Sequence, residues 1–240
     1  MMPDVTLKIR RYDPADGHEP WWQEFVVPVG ASMTVLEALF WIQEHTDGSL
    51  AFRYCCRSSI CGSCAMYING RYRLACQTNL SHLGVPTVTV APLPHVPVVR
   101  DLVWDMDDFF EKYEAIKPWL IRNSQTPDAE VLQSPEERHK LNMPIDCILC
   151  ASCYSSCPSV WGEQNFLGPA ALLCAYRFEV DSRDEAGKER LPSWDNERGV
   201  YRCHTITNCI EACPKELSPT EGIQWLKGSA VRRRLLGRKK

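Results

Sequence analysis

Thirteen of the 240 residues are cysteine, and they are not scattered. Five lie between Cys55 and Cys76, four between Cys147 and Cys157, three between Cys203 and Cys213, and Cys174 stands alone. Thiols bunched this closely cannot all be buried as small apolar residues, and an odd count leaves one unpaired in any disulfide scheme. The cysteine fraction also falls short of the roughly 8 to 10% of a small secreted scaffold. Metal ligation is the simplest chemistry for these groups.

Within the first group, Cys56, Cys61, Cys64 and Cys76 follow C-x4-C-x2-C-x11-C, the plant-type ligand spacing of a 2Fe-2S cluster. Three ligands on one loop would wrap the cluster, and a hairpin at Asn69-Gly70 would return the chain so that Cys76 supplies the fourth from a strand. Ser58, Ser59, Gly62 and Ser63 are small enough to let backbone N–H groups approach the sulfurs, which tunes a reduction potential. Cys55 competes with Cys56 for the first place, but its C-x5-C spacing is off the pattern, so we expect it to pack. Zinc, or no metal, is the alternative for this group.

Cys147, Cys150, Cys153 and Cys157, followed by Pro158, read C-x2-C-x2-C-x3-C-P. In this bacterial ferredoxin run the fourth cysteine ligates the other cluster of a pair. Cys203, Cys209, Cys213 and Pro214 repeat the run, with Ile206 where the middle thiolate belongs. The ligands then divide into Cys147, Cys150, Cys153 and Cys213 for a 4Fe-4S cluster, and Cys157, Cys203 and Cys209 for its neighbour. A cubane corner without a protein thiolate tends to lose its iron, so the neighbour is expected to be 3Fe-4S. Structural zinc prefers ligands in two separated pairs, which this run does not offer. The rival is a 4Fe-4S cluster whose odd iron holds water or substrate, but Ile206 gives such a water no hydrogen bond.

Composition narrows the function further. With 27 basic and 30 acidic side chains the net charge is −3, which rules out a nucleic-acid binder driven by bulk charge. The opening residues lack the apolar core of a signal peptide and the character of a transit peptide, so a cytosolic, reducing compartment is expected. No stretch of about 18 uninterrupted apolar residues occurs. Neither G-x-G-x-x-G after a strand nor a G-K-[ST] loop is present. Three one-electron centres without a two-electron cofactor of their own describe a wire whose ends dock on other proteins.

The elements that must hold these ligands divide near Pro92-Leu93-Pro94-His95-Val96-Pro97. Before it, Val5, Leu7 and Ile9 alternate with polar residues, and Trp21, Phe25, Val27 and Val29 alternate again after a turn at 13–17. Thr34 and Glu37 predict a capping box for a helix with Val35, Leu39 and Ile42 on one face, ended by Asp47-Gly48. Short strands are expected at 65–68, 72–76 and 87–90. After the boundary the pattern turns helical, with helices expected over 103–116, from Ser134 with Pro135 first, and over 170–178 behind Gly168-Pro169. We therefore expect an α+β chain: a β-grasp plant-type ferredoxin domain over 1–100 and an all-helical two-cluster ferredoxin domain over 101–240.

A plant-type domain followed by a helical two-cluster domain resembles the iron-sulfur subunits of succinate:quinone oxidoreductases, the succinate dehydrogenase and fumarate reductase family. FRYCCRSSICGSCAMYING, GPAALLCAYRFEVDSRD and RCHTITNCIEACPKELSPTEGI are similar to that family at their respective places. The resemblance implies a partner flavoprotein whose FAD oxidises succinate to fumarate. Electrons would pass through 2Fe-2S, 4Fe-4S and 3Fe-4S centres to quinone at a membrane-anchor subunit, with any haem in that anchor. It implies a peripheral place on the cytoplasmic face of a bacterial plasma membrane, and sets Pro158, Trp161, His204 and Ile206 at the quinone end. The chain departs from the family at Trp161-Gly162, where bacterial dehydrogenases often carry two adjacent tryptophans. Quinol:fumarate reduction and a free multi-cluster ferredoxin are the alternative functions.

Smaller features divide between function and plain packing. His204 beside Cys203 would tune a cluster or meet quinone. Trp161 either offers its indole N–H to quinone or packs on the anchor. Ile206 is expected to pack, and Cys174 to lie in the core. Arg232-Arg233-Arg234 with Arg238, Lys239 and Lys240 reads as a solvated basic end, with anionic lipid as the functional alternative.

Overall fold

A computed structural model describes residues 4–30, 32–124 and 128–236. The chain forms two compact units. One comprises Met1–Met106 with Ile148–Ser155, and the other Asp107–Cys147 with Ser156–Lys240.

The first unit is built on a mixed sheet of order β2-β1-β5-β3-β4. Strand β1 (Val5–Arg11) pairs antiparallel with β2 (Trp21–Val27), Leu7 opposite Phe25. Helix α1 (Val35–His45) follows, with the Thr34–Glu37 capping box formed in both directions, a cap of about 1 kcal/mol. Its buried face carries Val35, Leu39 and Ile42, at the helical spacing expected. The hairpin of β3 (Ala65–Ile68) and β4 (Arg71–Leu74) comes next, then α2 (Leu80–Leu83) and β5 (Thr87–Ala91). Strand β5 lies parallel to β1, setting Leu7 beside Val88 and Ile9 beside Val90, and antiparallel to β3. Leu7, Ile9, Val27, Val35, Leu39, Ile42, Ile68, Val88 and Val90 are fully enclosed between sheet and helix. This is the grasp-like half that alternation predicted.

Three expectations for this half are corrected. Strand β4 ends at Leu74, so Cys76 is not on a strand. The amides of Gln77 and Thr78 both return to the Leu74 carbonyl and close a turn around it. Residues 103 and 104 are not helical but form β7 (Val103–Trp104), which pairs with β6 (Val98–Arg100) through a tight reversal with Asp101 at φ +46°. Cys55 is exposed rather than packed.

In chain order the helices continue with α3 (Asp107–Glu114), α4 (Pro135–His139), α5 (Asn142–Ile145), α6 (Ser152–Ser155, which belongs to the first unit), α7 (Pro158–Gly162), α8 (Gly168–Val180), α9 (Gly187–Trp194), α10 (Asn208–Glu211) and α11 (Pro219–Leu236). Ser134 and Glu137 form the predicted box at α4. The core of the second unit is the packing of α8 on α11. Leu172, Leu173, Ala175 and Phe178 on α8 and Ile223, Leu226 and Ala230 on α11 are all buried, the Tyr176 and Trp225 rings meet edge-on at 5.4 Å between centroids, and Gly222 lets Tyr176 approach α11 closely. On α11 Arg232 and Arg234 are exposed, as a solvated basic end requires, and Arg233 is partly buried. Arg233 bonds Glu179 and Arg234 reaches Asp195 at 2.9 Å. Residues 238–240 lie outside the described residues. Arg190 is wholly buried: it grips both oxygens of Asp184 at 2.9 and 3.1 Å and donates to the Ile116 and Trp119 carbonyls.

Candidate metal centre

The loop from Cys56 to Cys64 turns back on itself through three left-handed residues, Arg57 (φ +56°), Ser59 (φ +54°) and Gly62 (φ +73°). The result is a basket of amides aimed at sulfur. Cys56 Sγ accepts from the N–H groups of Ser58, Ile60 and Cys61 at 3.3 to 3.4 Å. Cys76 Sγ accepts from Ser59 at 3.3 Å, and Cys61 Sγ from Cys56 at 3.4 Å. Those amides, that of Ser58 foremost, hold the Cys56 thiol down at about 6. Cys64 is buried, and burial pushes its thiol up to about 12; a cationic iron centre held there would offset that cost by favouring the thiolate.

Four sulfurs drawn to one loop, with backbone donors around them, fit a 2Fe-2S cluster. The small residues Ser58 and Ser59 donate as expected. Ile60 and Cys61 join them, which side-chain size could not reveal. Sequence also missed the aromatic ledge beside the loop: Phe40 meets Phe52 and Tyr54 edge-on at 5.3 and 4.5 Å between ring centroids, and the Arg57 guanidinium lies 4.9 Å from the Phe40 ring. Only a long-range contact brings α1 to that place.

In the segment Ile148–Ser155, Cys150 stands between two left-handed residues, Leu149 (φ +53°) and Ala151 (φ +60°), while Cys153 lies on α6. Cys150 Sγ is 3.5 Å from Ser152 Oγ.

In the second unit, Cys157 sits at the N-terminus of α7 and Cys209 on α10. Burial raises both thiols, and each also feels Cys203. Cys157, Cys203 and Cys209, the trio that the run pattern sets apart, thus lie within electrostatic reach of one another. Cys209 shares a hydrogen bond with Thr220 at 3.2 Å. Helix α11 pins the intervening loop, with Lys227 Nζ on the Cys203 carbonyl and Gln224 on Thr205, both at 2.7 Å.

Ile206 rides on that loop between left-handed Thr205 and Thr207. It is 48% exposed, which corrects the expectation of packing within the chain. His204 is exposed, Trp161 is 42% exposed on α7, and Pro158 opens that helix half-buried. Cys174 is buried against Tyr113 as a core residue. Among the described residues, no three His, Cys, Asp or Glu side chains are gathered closely enough for one metal ion. That bears on a single zinc, whose sulfurs stand about 2.3 Å from one centre, and not on clusters, whose sulfurs bind different irons. No helix among the described residues is long and apolar enough to cross a membrane.

Comparison with known proteins agrees with this geometry. Residues 6–111 match the family described as 2Fe-2S iron-sulfur cluster binding domain, and 139–214 match the 4Fe-4S dicluster domain. The succinate dehydrogenase iron-sulfur subunit of Paracoccus denitrificans is 45% identical over 95% of this chain and 88% of its own. The mitochondrial subunit of Candida glabrata is 44% identical over 92% and 89%. A chain of the Mycobacterium smegmatis Sdh1 complex in the apo form superposes with a TM-score of 0.86 at 28% identity, covering 96% of this chain and 97% of that one. The α+β architecture, the two ferredoxin-type domains and the identities lead to one conclusion: the chain belongs to the family of succinate dehydrogenase iron-sulfur subunits.

Proposed function

We propose that the chain is the electron-transfer subunit of a membrane-bound succinate:quinone oxidoreductase. It would sit between a flavoprotein whose FAD oxidises succinate and an anchor subunit, with or without haem, that presents quinone at the cytoplasmic face of a bacterial membrane. The clusters, when bound, supply one-electron redox chemistry. Cys56, Cys61, Cys64 and Cys76 hold the 2Fe-2S centre. Cys147, Cys150, Cys153 and Cys213 are assigned to 4Fe-4S by their spacing, and Cys157, Cys203 and Cys209 to 3Fe-4S.

The chain's own residues do the tuning. Amides of Ser58, Ile60 and Cys61 stabilise negative charge on the Cys56 sulfur, which favours uptake of an electron. Ile206 withholds the thiolate that a fourth iron of the last cluster would need. Trp161, His204 and Ile206 are left exposed, which suits a face that meets quinone and anchor.

The observation that carries this reading is the amide basket around Cys56 and Cys76, joined to a cysteine trio with an isoleucine in the fourth place. Electron paramagnetic resonance tests it. The oxidised complex should give a 3Fe-4S signal that vanishes on reduction, and succinate should then bring up a 2Fe-2S signal, with about nine irons per chain. Zinc in place of iron, or recovery of the native chain free of flavoprotein and membrane, would refute it.

A further inference from the structure

Among the described glycines of the first unit, Gly62 has the closest neighbours. A Cβ there would stand 2.6 Å from the carbonyl oxygen of Ile148 and 2.9 Å from both Cα and Cβ of Cys150. No side chain fits between these backbones. Both partners are held in place. The Gly62 carbonyl accepts from the Ala65 amide at 3.1 Å, which ties it to β3. The facing segment is fastened to the same unit where the Ser155 hydroxyl donates to the Pro94 carbonyl. Left-handed Leu149 and Ala151 on either side of Cys150 set its backbone against the loop. Gly62 itself stands between Cys61 and Cys64, two of the proposed 2Fe-2S ligands, so one cluster loop touches a proposed ligand of the next with nothing in between.

We infer that Gly62 is a positioning residue for inter-cluster electron transfer: its missing side chain sets the gap between the 2Fe-2S loop and Cys150. The inference rests on the electron-transfer reading above. The step is one electron, out of the reduced 2Fe-2S and into the oxidised 4Fe-4S, with no bond made or broken and no proton moved. Its rate falls exponentially with separation, so widening this seam slows it while leaving each set of ligands intact.

The test uses the assembled complex and a matched control. Gly70 has the same φ of +73° with nothing within 4 Å of a Cβ, so Gly70→Ala carries the backbone strain of Gly62→Ala without its collision. In Gly62→Ala each cluster signal should remain. The relaxation enhancement that the second reduced centre imposes on the 2Fe-2S signal should weaken, and electron arrival beyond the 2Fe-2S after rapid mixing with succinate should slow severalfold or more. Gly70→Ala should leave both readouts at parental values.

Parental relaxation and rate in a fully loaded Gly62→Ala complex would overturn the inference. If that variant fails to accumulate, the Gly62→Ala/Leu149→Gly double variant, in which the Cys150 backbone is free to retreat, should assemble with weakened coupling; parental coupling in it would overturn the inference equally. A parent complex that lacks the two signals refutes the functional reading itself, a separate outcome from a Gly62 variant that behaves as the parent.

Discussion

Arg11 and Asp101, ninety positions apart, form a nearly fully buried ion pair with Nε 2.9 Å from Oδ1. Asp101 does more than neutralise the arginine. Its oxygens also accept from the amides of Tyr12 at 3.1 Å and Ala51 at 2.9 Å. One carboxylate thus ties the end of β1 to the segment that runs from Ala51 into the cluster loop.

Asp101→Ala should therefore destabilise the first unit by about 1.5 to 3 kcal/mol, since it removes one of the two carboxylates on a buried guanidinium, Asp47 keeping the other side paired, and leaves the Tyr12 and Ala51 amides without their acceptor. Denaturant unfolding would show this as a fall in midpoint, accompanied by faster bleaching of the 2Fe-2S absorbance. A loss below about 1 kcal/mol, the range of an exposed pair, would contradict the assignment.

Asp47 gives the same network a pH dependence. Burial pushes its carboxyl up, but Ser49 and the Arg11 guanidinium at 2.6 Å outweigh burial and hold it at about 2, below the ordinary 3.8. A depressed carboxylate adds stability above its unfolded value and loses it as the folded group protonates. Asp47→Asn should cost up to about 2 kcal/mol near neutrality. The gap between the two proteins, followed by urea unfolding, should close as the pH falls from about 4 to about 2. A gap that stays constant over that window would exclude the mechanism.

Ile206→Cys should restore the missing corner. The oxidised 3Fe-4S signal is expected to diminish and a 4Fe-4S signal to appear on reduction, because a fourth thiolate retains the fourth iron. Unchanged spectra would place the vacant corner elsewhere.

Arg190→Ala should be among the most damaging changes in the second unit. Arg190 and Asp184 are both fully enclosed, and removal of one leaves the other charged and buried at a cost of about 3 to 5 kcal/mol. Calorimetry on the assembled complex carrying the variant should show a large drop in the Tm of this subunit, and replacing both residues with apolar ones of similar volume should recover much of it.

The sequence alone determined the two ferredoxin-type domains, 2Fe-2S and 4Fe-4S, because ligand spacing is a local property: Cys56, Cys61 and Cys64 lie within one loop, and Cys147, Cys150, Cys153 and Cys157 within one short run. It also determined β1, β2, α1 and α8, where apolar periodicity and capping residues act over a few positions. The capping boxes at Thr34 and Ser134 formed as written. Tertiary structure decided whatever depends on partners distant in the chain. The stripe of Ile223, Leu226 and Ala230 on α11 is narrow among polar residues and acquires meaning only against α8. Cys55, left over by the ligand spacing, and Ile206, apolar by type, read as packing residues, and the fold leaves both exposed, Ile206 between left-handed Thr205 and Thr207. Most of all, Gly62 looked like room for an amide. Only the approach of Ile148 and Cys150, more than eighty positions away, shows that its lack of a side chain answers a steric demand from a distant backbone, which no spacing along the chain records.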